Sequence, residues 1–302
     1  RVRSSAASDV YKRQGTASFR PVEVLLSGLN RPGERHGTKY TYTAPGYRLK
    51  YKDMKDYRNE TGRKLEILME DKPTGLEVCS NIQFYDGISV IRSWTELKNN
   101  GEEDLGVEYV SSFALLGIDK EGLLSTDEKL EVLIARNAWQ KELIWNRFSM
   151  DQLGMSISQP DKVRRSSQTI SVGNTGNWST KNYLPMGCLK NKETDSILFW
   201  QIEQNGSWYW EISDQDGHMY LQLSGPTEHQ SHWWKNLKPG DTFASVPVSV
   251  GSACGDVEEA AGELTKYRRA IRRKNEDNEK LPVIFNDYMN CLLYTSDAAD
   301  DL

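Results

Sequence analysis

The chain has 302 residues, 37% hydrophobic and 27% charged, with nine Trp and fourteen Tyr, enough apolar material for one large core or two ordinary ones. A formal net charge of −5 leaves no chain-wide positive field to gather nucleic acid or anionic lipid, so neither nucleic acid nor membrane is expected as a partner. Four cysteines without a C-x-x-C pair suggest reduced thiols. No apolar run reaches the length of a membrane span, and residues 1–20 lack the apolar core of a signal peptide, so a cytoplasmic location is expected.

In chain order, residues 1–14 come first, small and polar without helical or strand period. They resemble translated sequencing-adapter read-through in assembled metagenomic data, as do residues 292–302, and both are set aside as artefact tails. Residues 15–254 read as one oversized antiparallel β-sandwich, because from about Thr38 to Val250 short alternating apolar segments each close on a turn cluster. The first strands are predicted at Leu65–Glu70, Leu76–Phe84 and Ile88–Leu97, the last two joined by the hairpin signal Tyr85-Asp86-Gly87. Further strands are predicted at Leu105–Leu115, Lys129–Ala138, Ser166–Ser171, Ser196–Gln204, Ser207–Ile212, Met219–Ser224 and Asp241–Val250.

The pattern changes after Gly255. Residues 255–280 are predicted as a linker helix, with Val257, Ala260, Ala261, Leu264, Tyr267 and Ile271 at near-helical spacing, acids at its start and bases at its end. The basic run Arg268 to Lys274 reads as a solvated helix terminus rather than a nucleic-acid patch. Residues 281–291 open with the continuous apolar run Leu281 to Phe285, the way a strand buried on both faces presents itself, and are predicted as the first strand of a (β/α)8 barrel.

Signatures of a serine nucleophile and of nucleotide binding are missing. There is no G-x-S-x-G elbow, no G-x-G-x-x-G after a strand and no G-x-x-x-x-G-K-[ST] loop, so no cofactor is expected. Glu228, His229 and His232 lack the i, i+4 helical spacing of a zinc site, and no metal is expected. Trp200, Trp208, Trp210, Trp233 and Trp234 could stack on sugar rings, but Trp208 and Trp210 share one strand face, which favours packing in a core or an interface.

Four stretches together resemble glycoside hydrolase family 36, the bacterial α-galactosidases. They are Lys55-Asp56-Tyr57-Arg58 with Gly62 to Glu66; Trp139, Glu142 and Trp145; Gly225 to Glu228 with Trp233-Trp234 and Leu237 to Phe243; and the linker helix with Leu281 to Asn286. The resemblance implies a retaining double displacement on terminal α-galactosyl residues of sugars such as melibiose or raffinose, catalysed by two aspartates at the rim of the barrel. Those strands would lie beyond this chain, so none of its residues is expected to be catalytic and the chain alone is expected to be inactive.

For binding, the resemblance implies that Asp56 is a sugar-contacting acid at the pocket rim, sometimes in a neighbouring subunit. A plainer alternative pairs Asp56 with Arg58 on a solvated loop. Asn286, Asp287 and Tyr288 would line the pocket beyond the first barrel strand, Tyr288 standing where many relatives place a Trp. The partners implied are a galactose-containing oligosaccharide and further copies of the chain in a homo-oligomer. The rival reading is a non-catalytic carbohydrate-binding or oligomerisation sandwich.

Overall fold

The computed structural model describes residues 19–29, 39–155, 168–215 and 217–283. They fall into two units, one ending at Tyr267 and one starting at Arg268. The first unit opens with strand β1 (Val24–Leu26) and a short helix α1 (Ala44–Arg48), whose first turn is capped by Thr43 Oγ1 accepting from the Gly46 amide. A run of long strands follows: β2 (Lys50–Asn59), β3 (Gly62–Asp71), β4 (Leu76–Tyr85), β5 (Ile88–Asn99) and β6 (Leu105–Leu116). Helix α2 (Thr126–Lys129) leads into β7 (Leu130–Ala138), β8 (Lys141–Ser149), β9 (Thr169–Asn174), β10 (Tyr183–Asn191), β11 (Ser196–Ile202), β12 (Trp208–Gln215) and β13 (His218–Ser224). The remaining elements are α3 (Glu228–Ser231), β14 (Lys235–Leu237), β15 (Thr242–Ala244), β16 (Val248–Cys254), α4 (Val257–Ile271) and α5 (Glu276–Lys280).

These strands build two antiparallel sheets. The larger has ten strands in the order β2-β3-β4-β5-β16-β11-β10-β7-β8, with β15 also on β5. The smaller has six, in the order β1-β6-β13-β12-β9, with β14 also on β6. The expectation of a large antiparallel sandwich therefore holds.

Alternation along the strands explains the core. Trp200 on β11 of the larger sheet and Trp210 on β12 of the smaller meet edge to face, ring centroids 5.1 Å apart. Trp208, Ile212, Leu221, Leu223, Leu189 and Val250 are among the other members of this buried cluster. Gly187 on β10 is part of the fit, since a Cβ there would lie 2.5 Å from Trp200 Cζ2. A second cluster joins Val24 and Leu26 of β1 to Met69, Val78, Leu97, Val107 and Leu237.

Several elements differ from the sequence expectation. The single strand expected at Asp241–Val250 is two, β15 and β16, broken around Pro247, which has no amide for a ladder bond. The strand expected at Ser166–Ser171 is found at Thr169–Asn174, residues 166–167 lying outside the described residues. Strands β1, β2, β8, β10 and β14 were not expected. Strand β10 holds Pro185 inside the larger sheet because its register on β7 shifts between Tyr183 and Gly187, and Gly187 itself pairs with Ile134 and Trp200.

Helix α4 buries Ala260, Leu264 and Tyr267, three of the six residues the spacing picked out, while Ala261 is exposed. The Tyr267 hydroxyl donates to Glu203, which also accepts from Arg92 Nε and Nη2 at 3.0 and 2.7 Å. The linker helix expected over residues 255–280 is two helices, α4 and α5, with residues 272–275 outside both and Asn275 capping α5. Leu281 to Val283 belong to no strand, and the rest of the predicted barrel strand, 284–291, lies outside the described residues, as do residues 1–14 and 292–302.

Candidate functional site

Asp56 sits on β2, at one edge of the larger sheet. The β2–β3 hairpin closes on Asn59, whose side-chain oxygen accepts from the Thr61 and Gly62 amides, both at 3.1 Å. Gly62 is required by a close approach: a Cβ there would lie 2.3 Å from the Phe84 carbonyl oxygen. Register then sets Asp56 opposite Leu65, with Arg63 diagonal to it on the same face. The Asp56 carboxylate accepts from Arg63 Nε at 2.7 Å and Nη2 at 2.5 Å, a two-point fork. Hydrogen bonding from Arg63 holds the carboxyl below its usual range, so it stays ionised in weak acid.

This corrects the plainer alternative for Asp56. Its partner is Arg63 rather than Arg58, and it lies on a strand rather than a loop. Arg58 instead pairs with Asp86 from the β4–β5 turn. Asp56 and Arg58 lie two positions apart on β2, whereas the approach of Arg63 across the hairpin is set only by the turn at Asn59.

All ten residues of β2 are exposed. Around Asp56 the hairpin offers Tyr51, Met54 and Tyr57 as exposed apolar surface, and on the opposite face the Tyr57 hydroxyl and Lys64 both donate to Glu66 at 2.8 Å. The Lys64 ammonium also stands 5.0 Å from the centre of the Trp94 ring. Ionised acid, guanidinium and aromatic edges on one projecting hairpin can accept and donate hydrogen bonds to neighbouring hydroxyls of a sugar. Sequence reading missed Arg63 as a member of this group.

The other predicted site residues, Asn286, Asp287 and Tyr288, lie outside the described residues. Among the described residues no three His, Cys, Asp or Glu side chains converge to hold a metal. Glu228 and His229 lie in the helical turn α3, and His232 follows it in a left-handed conformation. Trp200, Trp208 and Trp210 are fully buried, as the core reading expected, while Trp233 packs on Phe243 and Trp234 is exposed. The described cysteines Cys79, Cys188 and Cys254 are free.

No protein-family profile matches the sequence, and no curated protein does. Solved structures do match. The two-layer architecture is that of the N-terminal β-sandwich domain of GH36 α-galactosidases. The chain is similar to a doubly substituted GH36 α-galactosidase AgaA from Geobacillus stearothermophilus in complex with stachyose, with TM-score 0.64 and 16% identity over 86% of this chain and 33% of that one. It is similar to AgaB of the same organism, with TM-score 0.66 and 16% identity over 89% of this chain and 34% of the other. A third match is the α-galactosidase from Lactobacillus brevis, with TM-score 0.57 and 14% identity over 84% and 29%. The chain thus spans about a third of the length of these proteins, and at this identity the likeness is one of fold.

Proposed function

We propose that the chain is the sandwich portion of a retaining α-galactosidase that hydrolyses terminal α-galactosyl residues of oligosaccharides. The observation that carries this reading is the shared two-sheet architecture over most of the chain against one third of proteins that are α-galactosidases, one of them in complex with stachyose. On this reading residues 15–254 are the accessory sandwich, 255–280 the linker, and 281–291 the first strand of a barrel that supplies the catalytic carboxylates. Asp56 contributes a hydrogen-bonding acid to the rim of the sugar pocket, in the same or a neighbouring subunit of a homo-oligomer, and Asn286, Asp287 and Tyr288 line it from the barrel side. The 302 residues alone hydrolyse nothing. An assay with a chromogenic α-galactoside tests this, and turnover by the chain by itself would refute the division of labour.

A second reading is favoured by one observation: Trp139, Trp178 and Trp234 are exposed, unlike the Trp of the core. A sandwich that binds oligosaccharide through such rings needs no barrel. Calorimetry on the chain with raffinose separates the two readings, since heat of binding without the barrel favours the second.

A further inference from the structure

Residues 39–43 belong to no strand or helix, yet Lys39, Tyr40, Thr41, Tyr42 and Thr43 are all buried. They lie over the face of the smaller sheet that points away from the Trp core. There Tyr40 stacks on Tyr109 of β6, with centroids 3.9 Å apart, and meets Tyr209 of β12 edge-on. What holds this segment is unusual in chemistry. Three of its backbone amides donate to buried carboxyl groups: Tyr40 to Glu211 Oε1 at 3.2 Å, Tyr42 to Glu23 Oε1 at 2.9 Å, and Thr43 to Glu23 Oε2 at 3.0 Å. The Thr43 hydroxyl donates to Glu23 as well. Glu211 further accepts from the Tyr209 and Tyr220 hydroxyls at 2.9 and 2.8 Å.

We propose that residues 39–43 are an acid-tightened strap, docked most firmly when Glu23 and Glu211 are protonated and loosened as pH rises toward neutrality. The groups facing each carboxyl set the balance. Around Glu23 stand Tyr42 and Thr43 of the strap and the guanidinium of Arg20. Around Glu211 stand Tyr209 on its own strand, Tyr220 of β13, Tyr109 of β6, and Tyr40 and Lys39 of the strap; Lys39 itself bonds Asp214 at 2.8 Å.

The amide and hydroxyl donors favour the ionised carboxylates, and burial outweighs them. Burial pushes Glu23 up from 4.5 to about 7 and moves Glu211 in the same direction. A lifted strap would leave both groups in water, ionising near their ordinary value. The docked state therefore binds more protons than the lifted state, so docking is complete below about pH 4.5 and weakens as pH rises to about 7. Both carboxyls act in the same sense.

The test is hydrogen exchange of the full chain between pH 4.5 and 7.5, corrected for intrinsic rates, comparing the Tyr40, Tyr42 and Thr43 amides with the Leu189 and Phe199 amides of the larger sheet. Relative protection of the strap is expected to fall by about tenfold or more across that range. Glu23→Gln should lower the slope at the Tyr40, Tyr42 and Thr43 amides alike, leaving the share that Glu211 contributes. A ratio of strap to sheet protection that stays constant with pH overturns the proposal, as does a Glu23→Gln chain with the wild-type profile. Should that variant not fold, the wild-type ratio decides alone.

Discussion

Strands β12 and β2 are alike in length and opposite in surroundings. Each departs from the usual alternation of buried and exposed residues: all eight residues of β12 are buried, and all ten of β2 are exposed. On β12, Trp208, Trp210 and Ile212 fill the space between the sheets, while Tyr209 and Glu211 meet Tyr40 of the segment 39–43. On β2 neither face is covered, and the strand carries Lys50, Lys52, Lys55 and Arg58 in the way natural edges discourage pairing with another chain. The difference teaches that burial here follows the layer a strand occupies. Stability is concentrated around β12, and β2 is left free to meet something else.

The largest expected effect is on the β12 side. Trp210→Ala removes one half of the Trp200 pair at the centre of the core and should cost about 3–5 kcal/mol, read from urea unfolding. A loss under about 1 kcal/mol would mean the core repacks around the gap and the contrast with β2 fails. Next is Gly187→Ala, which adds a methyl 2.5 Å from the Trp200 ring. An indole wedged between two sheets cannot give way easily, so a loss of about 1–3 kcal/mol is expected by the same measurement. Of similar size is Asn99→Ala. Asn99 is buried, its amide nitrogen donating to the carbonyls of Glu103 and Leu237 at 2.8 and 2.9 Å and its oxygen accepting from the Gly101 amide, so its removal should cost about 1–3 kcal/mol and lower the melting midpoint.

The same contrast explains what could be read before the structure was in hand. β4 and β5 alternate and end on turn residues, so their bounds are legible in the sequence to within a residue or two. Trp208 and Trp210 could be placed in the core because period two sets them on one face. Strand β2 was illegible because the apolar residues Tyr51, Met54 and Tyr57 recur every third position rather than every second, and its strand state comes from pairing with β3. The strap was illegible for another reason: Tyr40 and Glu211 meet only when the smaller sheet is assembled, 171 positions apart in the chain. For Asp56 the resemblance supplied the residue, and the hairpin register supplied its partner, Arg63.

The smallest effect on stability should come from the residue with the largest proposed part in binding. Asp56 and Arg63 pair on the exposed edge, where water screens the attraction and two long side chains lose freedom to form it, so Asp56→Asn and Arg63→Ala should leave the unfolding midpoint of this chain unchanged. If Asp56 meets sugar hydroxyls in the assembled enzyme, Asp56→Asn should instead raise the KM for an α-galactoside there, because an amide presents only one acceptor oxygen where the carboxylate presents two. Arg63 keeps the Asp56 carboxyl ionised, so this contribution is present above the ordinary Asp range and is lost only as pH falls through the depressed value. A variant that lowers the unfolding midpoint would show β2 to be a structural strand after all. An assembled enzyme whose KM does not respond to Asp56→Asn would leave the edge free and move the sugar contact elsewhere.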